Sequence, residues 1–160
     1  MNKLDTVRNL VKDFDSTSRL YQHLNKTTSY YGTDTLLTPA EIHAISLIAS
    51  HSNINLSQLA ELLSVTKGTA TKSAQKLVKK EMIYKNFAKG SENIVELTLT
   101  DKGTIAAENH KTYVDYMEKQ LIEIYYDISD QTTSDLVTIN QRTTDFFNKL
   151  IRERESEVKK

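Results

Sequence analysis

The chain has 160 residues, of which 38% are hydrophobic and 26% are charged, as in a single globular domain. It contains no cysteine, which excludes disulfides, thiolate zinc sites and cysteine nucleophiles. One proline and four glycines argue against a β fold with many turns. No apolar run approaches the length of a membrane span, and the N-terminal segment lacks the apolar core of a signal peptide, so we expect a cytoplasmic protein without a membrane partner.

The 21 basic and 21 acidic residues balance over the whole chain, but they are unevenly distributed. Residues 54–90 contain seven lysines and two glutamates, a net charge of +5. A basic island in a neutral chain indicates a local anionic partner, and nucleic acid is the first candidate. The same charges would also suit the solvated face of a helix, so charge alone does not decide between the two interpretations.

Periodic apolar residues predict a first helix from Leu4 to Leu24, and a polar loop follows over residues 25–35. A second helix is predicted to begin after Thr38, because Glu41 lies three residues later and completes a capping box. Asn55 opens a short third helix with a similar cap. Thr66 then begins a fourth helix, whose narrow predicted buried stripe consists of Ala70, Ala74, Leu77 and Val78.

Two strands are predicted next, over residues 83–87 and 94–100, joined as a hairpin by a six-residue tip. A long fifth helix starts at Thr100 or Asp101, and the polar run 129–135 is predicted to separate it from a sixth helix. The charged tail 152–160 is expected to fray. The fold class predicted from this order is mainly α with a small β-hairpin wing.

A short helix, a turn and a helix rich in basic and hydroxyl residues are typical of a helix-turn-helix, whose second helix enters the DNA major groove. Threonines there can bind phosphate or contact thymine methyl groups, lysines supply charge, and a glutamine can bind an adenine edge. A glycine near the helix start would let the backbone approach a partner closely, although it would equally be tolerated on a free surface. The predicted DNA-contacting residues of this helix are Thr66, Lys67, Gly68, Thr69, Thr71, Lys72, Gln75 and Lys76.

Three stretches resemble the MarR family of winged helix-turn-helix transcriptional regulators: LTPAEIHAISLI (37–48), NLSQLAELLSVTKGTATKSAQKLVKKEMI (55–83) and ELTLTDKG (96–103). Parts of the first two are similar to the FabT-type repressors of fatty-acid synthesis genes. The resemblance implies a repressor that binds a pseudo-palindromic operator in double-stranded DNA. It also implies a single MarR-like domain over 1–160, with a DNA-binding lobe at 36–100 and dimerisation helices at 1–30 and 101–155.

The homodimer has independent support, because the first helix and the last two carry more apolar surface than one small lobe can cover. The wing departs from the family pattern. Where the family has an aspartate followed by arginines, this chain has Ser91, Glu92 and Asn93. We expect Lys85 and Lys89 to contact DNA in their place, together with Asn93. The acidic Glu92 leaves open an alternative, a winged-helix module that binds a protein and has weakened DNA binding.

The resemblance places an effector cleft between the dimerisation helices and the DNA-binding lobe, and His43, His110, Tyr113 and Met117 are its candidate lining residues. A FabT-like protein would respond to an acyl chain presented by acyl carrier protein, and other small molecules are alternative effectors. His43 and His110 also lie where the zinc-responsive AdcR branch has two ligands, so a zinc-responsive regulator is a further alternative. The neighbouring positions lack ligands, however, so no metal site and no cofactor are predicted. No catalytic motif is present, and we expect no enzyme.

Overall fold

The computed structural model describes residues 2–51, 53–87 and 95–158. It divides into two compact units, Met1–Val114 and Asp115–Lys160, with the boundary inside the fifth helix. The helices are α1 (Lys3–Leu24), α2 (Pro39–Ser50), α3 (Leu56–Leu62), α4 (Lys67–Lys79), α5 (Asp101–Tyr126) and α6 (Asp130–Val158). The strands are β1 (Ile54–Asn55), β2 (Ile83–Phe87) and β3 (Val95–Leu99).

The predicted fold class is confirmed, because long helices flank a small antiparallel sheet. The helix starts follow the predicted capping signals. The Thr38 side chain accepts a hydrogen bond from the Glu41 N–H, and the Glu41 carboxylate accepts one from the Thr38 N–H at 2.8 Å. Asn55 and Gln58 form the same reciprocal arrangement at α3. Such caps satisfy N–H groups that have no partner within the helix.

The sheet has three strands in the order β1-β3-β2, although the sequence predicts only the β2–β3 hairpin. The additional strand pairs Ile54 with Leu97 and Asn55 with Glu96. Two residues are too few to show the alternation that identifies a strand, and Asn55 is also the cap of α3. The sheet is therefore wider at its base than a simple hairpin.

The core lies in the first unit, between α2, α3, α4, the sheet and the start of α5. The helix α4 contributes Ala70, Ala74 and Leu77, but the predicted fourth member of its stripe, Val78, is 39% exposed. The narrow buried stripe leaves most of the surface of α4 open. Buried core residues include Leu37, Ile42, Ala44, Ile45, Ile48, Ile54, Leu59, Ala74, Leu77, Met82, Ile83, Leu97 and Ala106.

A close backbone contact joins the end of α4 to the start of α5. The Thr100 hydroxyl donates to the Glu81 carbonyl at 2.6 Å and accepts from the Gly103 N–H at 2.9 Å. The Thr100 N–H donates to the Met82 carbonyl. A Cβ atom on Gly103 would overlap that same carbonyl oxygen, so only glycine fits here.

Two predictions for the C-terminal unit are wrong. The break between α5 and α6 is shorter than residues 129–135, because Ser129 accepts a hydrogen bond from the Thr132 N–H and α6 begins at Asp130. Polar residues in a first helical turn resemble a loop in sequence. The tail is helical to Val158 and does not fray over its described part. An i,i+4 ion pair between Lys149 and Glu153 reaches into it.

We predict that Gly103→Ala lowers the free energy of unfolding by about 3 kcal/mol, because the added methyl group would overlap the Met82 carbonyl. The measurement is urea denaturation followed by circular dichroism. Gly68→Ala is the matched control, because a Cβ there would meet only the Thr66 hydroxyl at 3.9 Å. It should leave stability unchanged or raise it by up to about 1 kcal/mol. Equal stability of the two variants would contradict the prediction.

Candidate nucleic-acid interface

The N-terminal turn of α4 combines a cap with exposed hydroxyl groups. Thr66 is the N-cap, and its hydroxyl oxygen accepts from the Thr69 N–H at 3.2 Å. The two hydroxyl oxygens of Thr66 and Thr69 lie 2.9 Å apart, so one of them donates to the other. One hydroxyl hydrogen of the pair remains free to donate outward. The cap can therefore hold the helix and still contact a phosphate or a base.

The solvent face of α4 is a regular stripe of exposed side chains. Gly68, Lys72, Gln75 and Lys76 are exposed and follow at helical spacing, opposite the buried alanines, while Lys67 is exposed beside them. The positive charges of Lys72 and Lys76 therefore lie before and after the side-chain amide of Gln75, which can both donate and accept hydrogen bonds. The combination matches the phosphate and base-edge contacts of a major-groove helix.

Two of the predicted contact residues differ from the rest. Thr71 is half-buried, and its hydroxyl donates to the Lys67 carbonyl at 2.8 Å, so its hydrogen is already used within the helix. The backbone at Gly68 is open, because a Cβ there would meet only the Thr66 hydroxyl, 3.9 Å away. Nothing inside the described part of the chain requires a glycine at this position.

A partly buried ion pair joins the C-terminal end of α4 to α2. Lys80 Nζ lies 2.7 Å from Glu41 Oε2 and donates to the Leu36 carbonyl at 2.9 Å. Burial pushes the pKa of the Glu41 carboxyl upward, but the hydrogen bonds from Lys80 and Thr38 outweigh burial and hold this pKa below its ordinary value. Among the seven lysines of the basic island, Lys80 thus has a structural role. The sequence predicts Glu41 only as a cap.

The wing is an antiparallel hairpin whose β2 strand is exposed beyond Ile83. Lys85, a predicted contact, is exposed in the middle of β2. The other two predicted wing contacts, Lys89 and Asn93, lie outside the described residues, as does Glu92. Tyr84 and Phe87 of β2 are exposed aromatic residues that the sequence does not predict as functional. Aromatic residues are common in strands, so the sequence pattern does not distinguish them from structural residues.

A second cluster lies around His110 on α5. Its Nδ1 atom is 3.0 Å from the Ser46 hydroxyl of α2, and the Tyr31 ring meets the imidazole edge to face with centroids 5.4 Å apart. Burial, and secondarily the nearby His43, lowers the pKa of His110, so the imidazole is neutral near neutral pH. Burial, and secondarily Tyr113, raises the pKa of Tyr31.

The structure therefore brings together three of the four predicted effector residues, His43, His110 and Tyr113, and it adds Tyr31 and Ser46, which the sequence analysis missed. The fourth, Met117, belongs to the second unit and is half-buried there. Among residues 2–51, 53–87 and 95–158, no group of three or more histidine, cysteine, aspartate or glutamate side chains could hold a metal ion. No helix in these ranges is long and apolar enough to cross a membrane.

Residues 37–86 match the model of the MarR family. The HTH-type transcriptional repressor MdtR of Bacillus subtilis is 28% identical over 72 residues, which are 45% of this chain and 46% of that protein. Matched segments cover 46–66% of the lengths of the curated relatives, so the chain matches less than two thirds of each.

Two solved structures with bound DNA have a similar fold. The Lactococcus lactis ZitR complex is 21% identical with a TM-score of 0.71, and the match covers 86% of this chain and 97% of that one. The Streptococcus pneumoniae FabT complex is 22% identical with a TM-score of 0.64, and the match covers 92% and 99% of the two chains.

We predict that Glu41→Gln lowers the free energy of unfolding by about 1–3 kcal/mol near neutral pH, because it removes one charge of a nearly buried pair. The folded-state pKa of Glu41 lies below its ordinary value, so this stabilisation is complete above the ordinary value and is lost as the pH falls through the folded-state pKa. The difference from the unmodified protein should thus shrink below about pH 4.3.

The measurement is urea denaturation of both proteins across this pH range. Glu61→Gln is the control, because Glu61 is an exposed glutamate of α3, and it should change stability by less than about 0.5 kcal/mol. A difference for Glu41→Gln that stays constant with pH would contradict the prediction.

Proposed function

We propose that this chain, which is a member of the MarR family, is a dimeric, sequence-specific DNA-binding repressor of transcription. The observation that carries the proposal is the exposed stripe of α4, where Lys72, Gln75 and Lys76 lie on a helix that is capped at its start and joined to α2 at its end. The capped N-terminal end of α4 enters the major groove. The DNA-bound structures of ZitR and FabT, which share the fold, support this docking.

The proposed contacts divide by chemistry. Lys67, Lys72 and Lys76 bind phosphates, while Gln75 binds the edge of an adenine. The hydroxyl groups of Thr66 and Thr69 hydrogen-bond each other, and the one hydroxyl hydrogen that this bond leaves free donates to DNA. The wing contributes Lys85, Lys89 and Asn93. Thr71 contributes its methyl group, because its hydroxyl hydrogen is already donated within the helix, and Gly68 lets the backbone come close to DNA.

The proposed homodimer explains the apolar surface of the terminal helices. The described part of α1 buries no residue, and its Leu10, Val11 and Leu20 side chains are more than half exposed. In the second unit α6 also buries no residue, although it carries Phe146 and Ile151. Apolar faces of this size mark an interface. We assign residues 1–30 and 101–155 to dimerisation and 36–100 to DNA binding within one MarR-like domain.

A repressor is the form of regulation we propose, because MdtR, a repressor, is similar to this chain over 72 residues, and the family model matches the segment that contains α2–α4. Its operator is a pseudo-palindrome, since two recognition helices related by a two-fold axis meet two half-sites.

We predict that the protein binds the DNA upstream of its own gene as two chains per operator and prefers it to a scrambled duplex. Lys72→Ala and Lys76→Ala should weaken binding to both duplexes and lower the salt slope by about 0.9 for each phosphate that is no longer neutralised. Gln75→Ala should instead reduce the preference for the specific duplex by about tenfold. The measurement is fluorescence anisotropy between about 50 and 200 mM salt.

Lys149→Ala is the matched control, because this exposed lysine lies on α6, outside the proposed DNA-binding lobe, and light scattering checks that the variant remains a dimer. It should bind like the unmodified protein. Equal weakening of both duplexes by Gln75→Ala would remove Gln75 from base recognition. Weak binding of the unmodified protein to both duplexes would overturn the proposal and favour the protein-interaction alternative.

We further propose that the cluster around His110, with His43 and Tyr113, receives the effector, while Met117 of the second unit stays a prediction from the sequence. An acyl chain carried by acyl carrier protein is the favoured ligand class, because this chain shares its fold with FabT and the rings of Tyr31 and His110 in the cluster are partly buried. Zinc is the second candidate, because His43 lies near His110 and the similar ZitR is zinc-responsive.

We predict that acylated acyl carrier protein changes the operator affinity at least several-fold and that His110→Ala abolishes this change. His51→Ala is the control, because His51 lies at the end of α2 and hydrogen-bonds the Leu47 carbonyl. The measurement is the same anisotropy titration with acyl carrier protein, acylated acyl carrier protein or Zn²⁺ added. A response to Zn²⁺ alone that His43→Ala removes would favour zinc as the effector and contradict the acyl chain.

A further inference from the structure

The β2 strand carries an aromatic ring past the edge of the folded core. Residues alternate along a strand, so Ile83, Lys85 and Phe87 share one face, and the burial of Ile83 identifies it as the core face. Phe87 pairs with Val95, one position beyond the Asn86–Glu96 pair. Strand β1 ends at that previous pair, where its Asn55 pairs with Glu96 of β3. Phe87 thus stands where the sheet has only two strands, and it is 70% exposed.

The described part of the hairpin itself carries little charge. Lys76 and Lys79 are exposed near the end of α4, and Lys85 is exposed on β2, which starts four residues after α4 ends. The described part of the hairpin has one lysine, Lys85, and one glutamate, Glu96. This part of the hairpin therefore contributes little net charge to binding a polyanion, and its distinctive surface is apolar.

The apolar area at this position is small. Among the described residues of the hairpin face, the ring of Phe87 is flanked by the half-buried Val95 and the alkyl chain of Lys85. A specific protein interface needs about 800 Å² on each partner, which one aromatic ring does not provide. Minor-groove-binding proteins, in contrast, use single apolar side chains, phenylalanine among them, against the sugars and base steps of DNA.

We propose that Phe87 packs its ring into the DNA minor groove next to the major groove that holds α4. This inference rests on the proposed DNA-binding function and assigns to the wing an apolar contact at a position where the sequence offers no arginine. The contact adds affinity without neutralising a phosphate, so its contribution does not depend on salt. Lys85, two residues earlier on the same strand face, holds the adjacent phosphate.

The test separates the two kinds of contact by their salt dependence. Phe87→Ala should weaken operator binding by about tenfold at every salt concentration between about 50 and 200 mM and leave the log–log slope unchanged. Lys85→Ala should lower that slope by about 0.9, because one phosphate is no longer neutralised. Phe87→Leu, which keeps an apolar side chain, should recover part of the affinity.

Tyr84→Ala is the matched control, because Tyr84 is an aromatic residue of the same strand, is 57% exposed and points to the opposite face. It should bind DNA like the unmodified protein. Urea denaturation of each variant checks that the lobe remains folded. Light scattering of each variant reports the oligomeric state.

Four outcomes would overturn the inference. They are operator affinity unchanged by Phe87→Ala, a reduced salt slope in that variant, an equal loss in Tyr84→Ala, and loss of the dimer in Phe87→Ala, which would identify a second copy as the occupant. In each of these cases specific binding by the unmodified protein would leave the proposed function standing. Absence of specific binding by the unmodified protein would overturn the proposed function and this inference together.

Discussion

The ion pair between Glu41 and Lys80 joins the C-terminal end of α4 to the start of α2. The same carboxylate caps α2, accepts from Thr38 and meets the lysine that ends α4. One nearly buried charge thus joins the first turn of one helix to the last turn of another, 39 residues away. Because the Glu41 pKa stays below its ordinary value, the carboxylate remains charged across the neutral range. The Thr100 hydroxyl, which donates to the Glu81 carbonyl and accepts from the Gly103 N–H, joins the segment just after α4 to the start of α5.

The Glu41–Lys80 pair and the Thr100 hydrogen bonds add polar contacts at the C-terminal end of α4, a helix that buries little surface. The core side of α4 consists of two alanines and one leucine, which allow close packing but contribute modest apolar area. The Lys80 ion pair ties the C-terminal end of α4 to α2, and the Thr66 cap stabilises the first turn of the helix itself. The exposed face of α4 consequently carries lysine, glutamine and glycine residues that contribute little to core packing. A helix with one small buried face and one exposed basic face is suited to binding a polyanion.

Local signals predict most of the helix starts, and contacts between distant residues account for what the sequence does not predict. The caps at Thr38, Asn55 and Thr66 depend on residues two or three positions apart, so they are visible in the sequence. The Glu41–Lys80 pair and the β1–β3 pairing join positions about 40 residues apart, and no local pattern marks them. The same limit applies to exposure. Leu97 and Phe87 are both apolar strand residues, yet Leu97 is buried and Phe87 is exposed. Leu97 lies in the part of the sheet that has three strands, where it pairs with Ile54 of β1, and Phe87 lies beyond that part.

The shared hydroxyls of Thr66 and Thr69 limit how this surface can evolve. A substitution at either position disturbs the helix cap as well as any contact with DNA, so a gain in recognition there comes with a loss of stability. Gln75 lies on the exposed stripe and has no such role in the fold. A lineage that shifts to a new operator can therefore vary Gln75 without destabilising the helix, while the two threonines remain fixed. Divergence in DNA preference should accumulate two turns into the helix and spare its first turn.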